Sequence, residues 1–167
     1  LDQFGVADRF VAVHGGSMGA ANGLDYLVKA ARVLAERGED DIHILICGYG
    51  GTRDALEAMC AEWNLTNVTF TGSIPRKQLG AIVSSVDVAI TSFKNLPVLA
   101  TNSPNKLFDG LAAGVPNIVN SAGWTKVLVE EADAGVYVDV TRPEALADAL
   151  VRYRDDEQLR LQHGRNA

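Results

Sequence analysis

The sequence predicts an α/β domain built on a parallel sheet. Three observations carry this expectation. Short apolar, β-branched runs alternate with longer stretches of helical periodicity. One run, Ile42-His43-Ile44-Leu45-Ile46-Cys47, is almost continuously apolar, as a strand covered on both faces must be. Glycine-rich turns follow the first two runs, where each strand gives way to a helix. Strict βα alternation implies right-handed crossovers, hence a Rossmann-like sheet of about six strands with helices on both faces.

The elements follow in order. Residues 10–14 read as the first strand. Leu24, Leu27, Val28, Ala31 and Leu34 recur at helical spacing until Gly38 stops them. Residues 42–47 form the second strand, and Ala55, Leu56, Met59, Cys60 and Trp63 mark the second helix. Residues 68–70 are a short third strand. A third helix starts at Pro75, a residue suited to a first helical turn, and runs to about Ser85. Residues 88–91 are the fourth strand, followed by a loop over 92–103 without periodicity. Pro104 opens a short helix that ends before Gly114. Residues 117–119 and 135–138 are two more strands, and amphipathic helices from Pro143 and Asp155 close the chain. No repeat, low-complexity segment or Pro/Gly/Ser linker interrupts it, so residues 1–167 read as one domain.

Composition narrows the function classes. Hydrophobic residues make up 47% and charged ones 22%, a globular balance. Fifteen Lys and Arg face 21 Asp and Glu, a net charge of −6. That surface repels a phosphate backbone, so no nucleic-acid partner is expected, although a local cationic pocket for one small anion is compatible with it. Cys47 and Cys60 are too few for a disulfide framework and read as buried thiols of a reducing compartment. No apolar stretch approaches the ~20 residues that span a bilayer, and no basic-then-apolar leader is present. The expectation is a cytoplasmic domain without a transmembrane segment.

In open parallel sheets, ligands bind outside the carboxyl ends of the strands. The first such loop, His14 to Gly23, holds four glycines whose bare amides suit an anion. It fails the G-x-G-x-x-G fingerprint at His14, and the second loop, Gly48 to Arg53, fails it at Arg53. Ordinary tight turns explain these loops equally well. The third loop, Thr71-Gly72-Ser73-Ile74-Pro75, could offer backbone to a flat heterocycle or be a plain turn.

The fourth segment, Asn102-Ser103-Pro104-Asn105-Lys106-Leu107-Phe108-Asp109-Gly110, is the informative one. Ser103 reads as an N-cap and Pro104 as the first helical residue. The amides of Asn105 and Lys106 are then free donors, and Lys106 adds a full charge to the partial one of the helix end. Asp109 lies one turn (~5 Å) further along the same face. Such a nest suits a diphosphate, with a carboxylate placed to accept bonds from two sugar hydroxyls. The competing reading is a surface Lys–Asp pair worth only ~0.3–0.5 kcal/mol. His14 either touches substrate or is structural. His43 and His163 have no partners at metal-ligand spacing, no G-x-S-x-G elbow is present, and Trp63 and Trp124 read as packing.

Taken in order, Phe10-Val11-Ala12-Val13-His14-Gly15-Gly16, Gly23-Leu24-Asp25-Tyr26-Leu27, Leu45-Ile46-Cys47-Gly48-Tyr49-Gly50, Val68-Thr69-Phe70-Thr71-Gly72, Ser85-Val86-Asp87-Val88-Ala89-Ile90 and Leu111-Ala112-Ala113-Gly114-Val115-Pro116 resemble a known family. The chain is similar, over nearly its whole length, to the C-terminal half of a GT-B, family-4-type retaining glycosyltransferase. The resemblance implies a nucleotide-sugar-binding domain of a larger two-domain protein, with the N-terminal, acceptor-binding half absent. It implies that Asp109 binds the ribose and that Asn105, Lys106 and their neighbours Ser103 and Leu107 line the diphosphate. Gly15 and Gly16 face the phosphates and donor sugar, and Gly72, Ser73 and Ile74 read the base.

Three departures matter. The first glutamate of the family's E-x7-E pair falls at Thr101. The usual arginine and lysine of the first loop fall near Ser17 and at Asn22. Lys106 is then the natural catalytic cation, with Arg53 second. The Ser-Pro-Asn-Lys-Leu-Phe-Asp form looks like a bacterial subgroup associated with cell-surface polysaccharide and UDP-linked N-acetylated amino sugars. The implied donor is a UDP-sugar, with no metal or other cofactor, and any membrane contact is left to the missing half. A sugar-nucleotide epimerase and a non-catalytic Rossmann-like module are the alternatives; the two broken fingerprints disfavour an NAD-dependent dehydrogenase.

Overall fold

The computed structural model describes residues 1–167. Six strands, β1 (Phe10–Gly15), β2 (Ile42–Cys47), β3 (Val68–Gly72), β4 (Val88–Thr91), β5 (Asn117–Val119) and β6 (Gly135–Tyr137), form one sheet in the order β3-β2-β1-β4-β5-β6. All five pairings are parallel. The crossovers are α1 (Asp25–Glu36), α2 (Arg53–Glu62), α3 (Arg76–Val83), α4 (Asn105–Ala112) and α5 (Trp124–Glu131), followed by α6 (Pro143–Asp155) and α7 (Glu157–Asn166).

Alternation along the strands explains the two covered faces. On β1, Phe10 and Ala12 face a core shared with Leu27, Ile44, Ile46, Leu146 and Leu150. Val11 and Val13 face the other way, against Leu45, Cys47, Ile82, Val83 and Val115. Every residue of β2 is buried, as its unbroken apolar run requires. Cys47 and Cys60 are buried free thiols. Burial pushes the Cys60 thiol up to about 11.

The structure corrects the sequence reading at four places. An eight-residue helix, α5, fills the stretch between β5 and β6 that carried no assignment. Its Val129 joins a small core with Leu107 and Val119, while Val127 is exposed, so the apolar pattern is broken. Part of the loop over 92–103 is a 3₁₀ turn, Pro97–Thr101. Helix α4 begins at Asn105, one residue later than expected: Pro104 occupies the cap position with extended backbone, φ −81° and ψ 120°, and Ser103 caps nothing. Pro75 likewise sits at the cap of α3. A proline at the cap presents no side-chain acceptor, so the first amides of each helix remain available.

The sheet order reverses direction between β1 and β4, which places a crevice above their carboxyl ends.

Candidate functional site

Three glycine turns meet at that crevice. The amide of Gly16 donates to Cys47 O at 2.8 Å, and that of Gly48 to Gly72 O at 2.9 Å, which ties the ends of β1, β2 and β3 together. Gly48 has φ +149°, and a Cβ there would lie 1.7 Å from Gly16 O. Only glycine permits this approach. Gly15 is covered by Leu79 of α3, which would stand 3.1 Å from an added Cβ.

Two adjoining clefts share that Leu79. One, of about 240 Å³, is lined by Gly16, Ser17, Gly48, Tyr49, Ser73 and Ile74. The other is a narrow crevice where Gly15, Lys106 and Asp109 come together. The structure thus gathers Gly15, Gly16, Ser73, Ile74, Lys106 and Asp109 along one wall.

Helix α4 supplies the positive end. No side chain caps its first turn, and the amides of Asn105 and Lys106 donate to no carbonyl. Lys106 does not pair with Asp109, which sets aside the surface ion-pair reading. Its stem passes Gly16, where an added Cβ would stand 3.3 Å from Lys106 Cε. Its Nζ donates to Asn22 Oδ1 at 2.9 Å and lies 5.3 Å from the Phe93 ring centroid. Burial pushes the ammonium down to about 8. Asp109 instead faces Arg76 of α3 at 3.7 Å, an exposed pair.

His14 is fully buried beneath this charge. The backbone of Ser17 and Ile90 lies by the ring, but neither ring nitrogen makes a well-formed hydrogen bond. Burial first, and then the nearby Lys106, push the imidazole down to about 3, so it is neutral at ordinary pH. No group of three or more His, Cys, Asp and Glu side chains is gathered in a way that could hold a metal ion.

The profile of the family described as Glycosyl transferases group 1 matches residues 3–167. The chain belongs to that family. It is 25% identical over 99% of its length to the alpha-D-kanosaminyltransferase of Streptomyces kanamyceticus, covering 42% of that enzyme. It is 30% identical over 92% of its length to the lipopolysaccharide core biosynthesis glycosyltransferase LpsD of Rhizobium meliloti, covering 42% of it. The chain therefore spans about two-fifths of these relatives. Among solved structures it superposes on HepE of Anabaena, crystallised with UDP and glucose, with a TM-score of 0.82 at 19% identity, over 99% of this chain and 44% of HepE. It also superposes on the C-terminal domain of LpcC from Francisella tularensis, with a TM-score of 0.73 at 18% identity, over 93% of this chain and 80% of that domain. The fold is that of one half of a GT-B glycosyltransferase.

Not every expected residue of this glycosyltransferase domain reaches the wall. Leu107 is wholly buried against Val119 and Val129, and its amide donates to Pro104 O at 3.1 Å, so it supports α4 from beneath. Ser103 is exposed outside the helix. Arg53 is held by Glu57 at 2.7 Å and would stand 3.2 Å from a Cβ on Gly72, so it does not line the Lys106 crevice. Gly72, with φ +76°, closes the end of β3 and bonds to Gly48 without lining the cleft. Thr101 uses its hydroxyl inside its own turn, donating to Val98 O at 3.0 Å. The sequence reading missed Asn22, Phe93 and Arg76 as partners of Lys106 and Asp109. The Asn22–Lys106 contact bridges 84 residues, and no spacing rule reports it.

No helix is long and apolar enough to cross a membrane.

Proposed function

We propose that this chain is the donor half of a retaining, family-4-type glycosyltransferase and binds a nucleoside diphosphate sugar, UDP-linked, at the wall formed by Gly15, Gly16, Ser73, Ile74, Lys106 and Asp109. The observation that carries the reading is the Lys106 ammonium, held beside the Gly16 turn at the uncapped start of α4. Half-buried positive charge next to two free amides is a site for a diphosphate.

The base lies in the cleft lined by Ser73 and Ile74, and Asp109 accepts bonds from the ribose hydroxyls once Arg76 gives way. Loss of the nucleoside diphosphate from the anomeric carbon puts growing negative charge on the leaving phosphate. Lys106 and the amides of Asn105 and Lys106 stabilise that charge in place, so the proposed reaction needs no metal. The departing phosphate takes the proton of the acceptor hydroxyl, and no protein base is required. An acceptor half, outside this chain, completes the enzyme, and residues 1–167 alone bind donor without transferring sugar. Bacterial surface-polysaccharide synthesis, the work named for LpsD, is the proposed setting.

Calorimetry of UDP against the wild-type protein and Lys106→Ala tests this. Weakening of ~30-fold or more is expected for removal of a charge-assisted contact. Equal affinity removes Lys106 from the site.

A further inference from the structure

The cation of the proposed site is held from across the chain. Asn22 sits in the 3₁₀ turn Ala20–Asn22 and is 7% exposed. Its Nδ2 donates to Ser17 O at 2.9 Å and Ser17 Oγ at 3.3 Å, which leaves Oδ1 directed to Lys106. Its backbone is anchored as well. Ser92 Oγ donates to Asn22 O at 2.8 Å, Asn120 Nδ2 donates to Ser92 Oγ at 3.0 Å, and Asn120 Oδ1 accepts from Phe93 N at 2.8 Å. The chain of bonds joins the loops after β1, β4 and β5 to the side chain of α4.

The chemistry of the partner matters as much as the distance. A lysine carries much rotamer freedom, and ordering it in advance lowers the cost of using it. A carboxylate in the place of Asn22 would order it equally well but would cancel the charge and repel an incoming phosphate. An amide oxygen is neutral, so the ammonium keeps its charge. The nearby carboxylate, Asp109 on α4 itself, is turned to Arg76 of α3, and His14 on β1 is neutral and offers no bond.

We propose that Asn22 is a positioning residue: it holds the Lys106 ammonium against the Gly16 turn without neutralising it, and so presets the cation for a diphosphate. This inference rests on the nucleoside diphosphate reading above. It requires that Asn22 act through Lys106 and not by touching the ligand itself.

The experiment compares the wild-type protein, Asn22→Ala, Asn22→Asp, Lys106→Met and the double variant Asn22→Ala/Lys106→Met, all in the intact protein. UDP affinity is read by calorimetry. Acylation of Lys106 by acetic anhydride across pH, followed by peptide mass spectrometry, reads its ammonium without any ligand. Asn22→Ala is expected to weaken UDP by ~5–10-fold with Lys106 present and by less than ~2-fold in the Lys106→Met background. Its Lys106 acylation midpoint falls, because the charged form has lost an acceptor. Asn22→Asp raises that midpoint yet also weakens UDP, a pair of signs that a merely unfolded loop does not produce. Equal losses of affinity in both backgrounds, or an acylation midpoint unmoved by both Asn22 variants, overturn the proposal. If wild type and Lys106→Met bind UDP alike, the diphosphate reading fails, and the inference for that ligand fails with it. The acylation arm then shows whether the Asn22–Lys106 coupling is real.

Discussion

Two regions of the molecule carry polar groups away from water, and they treat them in opposite ways. Where α6 and α7 meet the turn before β6, Tyr153 and His163 are buried, and their bonds close on themselves. Tyr153 OH lies 2.7 Å from His163 Nδ1, and His163 Nε2 lies 3.2 Å from Asp133 Oδ1. Asp133 Oδ2 in turn accepts from Gln162 at 2.7 Å and Asn166 at 3.3 Å. Burial raises the Tyr153 hydroxyl well above the usual range, so it does not ionise. Above the carboxyl ends of β1 and β4 the accounting stays open. His14 makes no well-formed hydrogen bond, Lys106 has one neutral acceptor, and two amides of α4 are bare. A satisfied network docks one element onto another. The open one, with its excess positive charge, is where the proposed diphosphate fits.

The largest effect expected of this contrast is on acid stability. The folded His14 imidazole titrates near 3, against 6.5 when unfolded. Protons therefore bind the unfolded chain preferentially as pH falls through that window. Stability is fully present above pH ~6.5 and is lost towards pH ~3, by up to ~5 kcal/mol from this group. His43, pushed down to about 4 by burial, acts in the same direction. Denaturant melts across this range should show the slope, and His14→Leu should flatten it. An unchanged slope would mean that His14 is wetter than its burial indicates.

Breaking the closed network comes next. His163→Ala strands the Tyr153 hydroxyl and opens a cavity, so unfolding should become easier by ~2–3 kcal/mol. UDP affinity should not move. A loss of affinity would join the two regions that the structure keeps apart.

Lys106→Met should do the reverse. Relief of a half-buried ammonium raises stability by ~1 kcal/mol, while UDP binding weakens at least ~10-fold. Wild-type affinity should decline as pH rises through ~8, where the free ammonium loses its proton. A destabilised Lys106→Met that still binds UDP would invert the comparison.

The smallest effect belongs to the exposed pair. Arg76→Ala should change stability by less than ~0.5 kcal/mol, because surface ion pairs contribute little. It should leave Asp109 freer for a ribose, so UDP affinity should hold or rise slightly. A marked fall would make Arg76 a ligand contact and not merely a cover.

The sequence by itself determined the frame. β1, β2 and β4 were legible because each is a run of apolar residues with turn chemistry at its end. The start of α4 was legible to within one residue, because Pro104 cannot continue a helix backwards and the apolar pattern resumes after it. Lys106 stood out because a cation at the positive end of a helix is unusual, and Asp109 because it follows one turn later on the same face. The eight-residue α5 escaped, since exposed Val127 and half-exposed Trp124, stacked 6.0 Å from Phe108, blur its periodicity. Only the tertiary structure decided which neighbours those side chains have. It turned Leu107 inward and gave Asp109 to Arg76, Lys106 to Asn22 and Arg53 to Glu57. Periodicity and turn chemistry act over a few residues, whereas these contacts join loops that are adjacent only after the strand order is set.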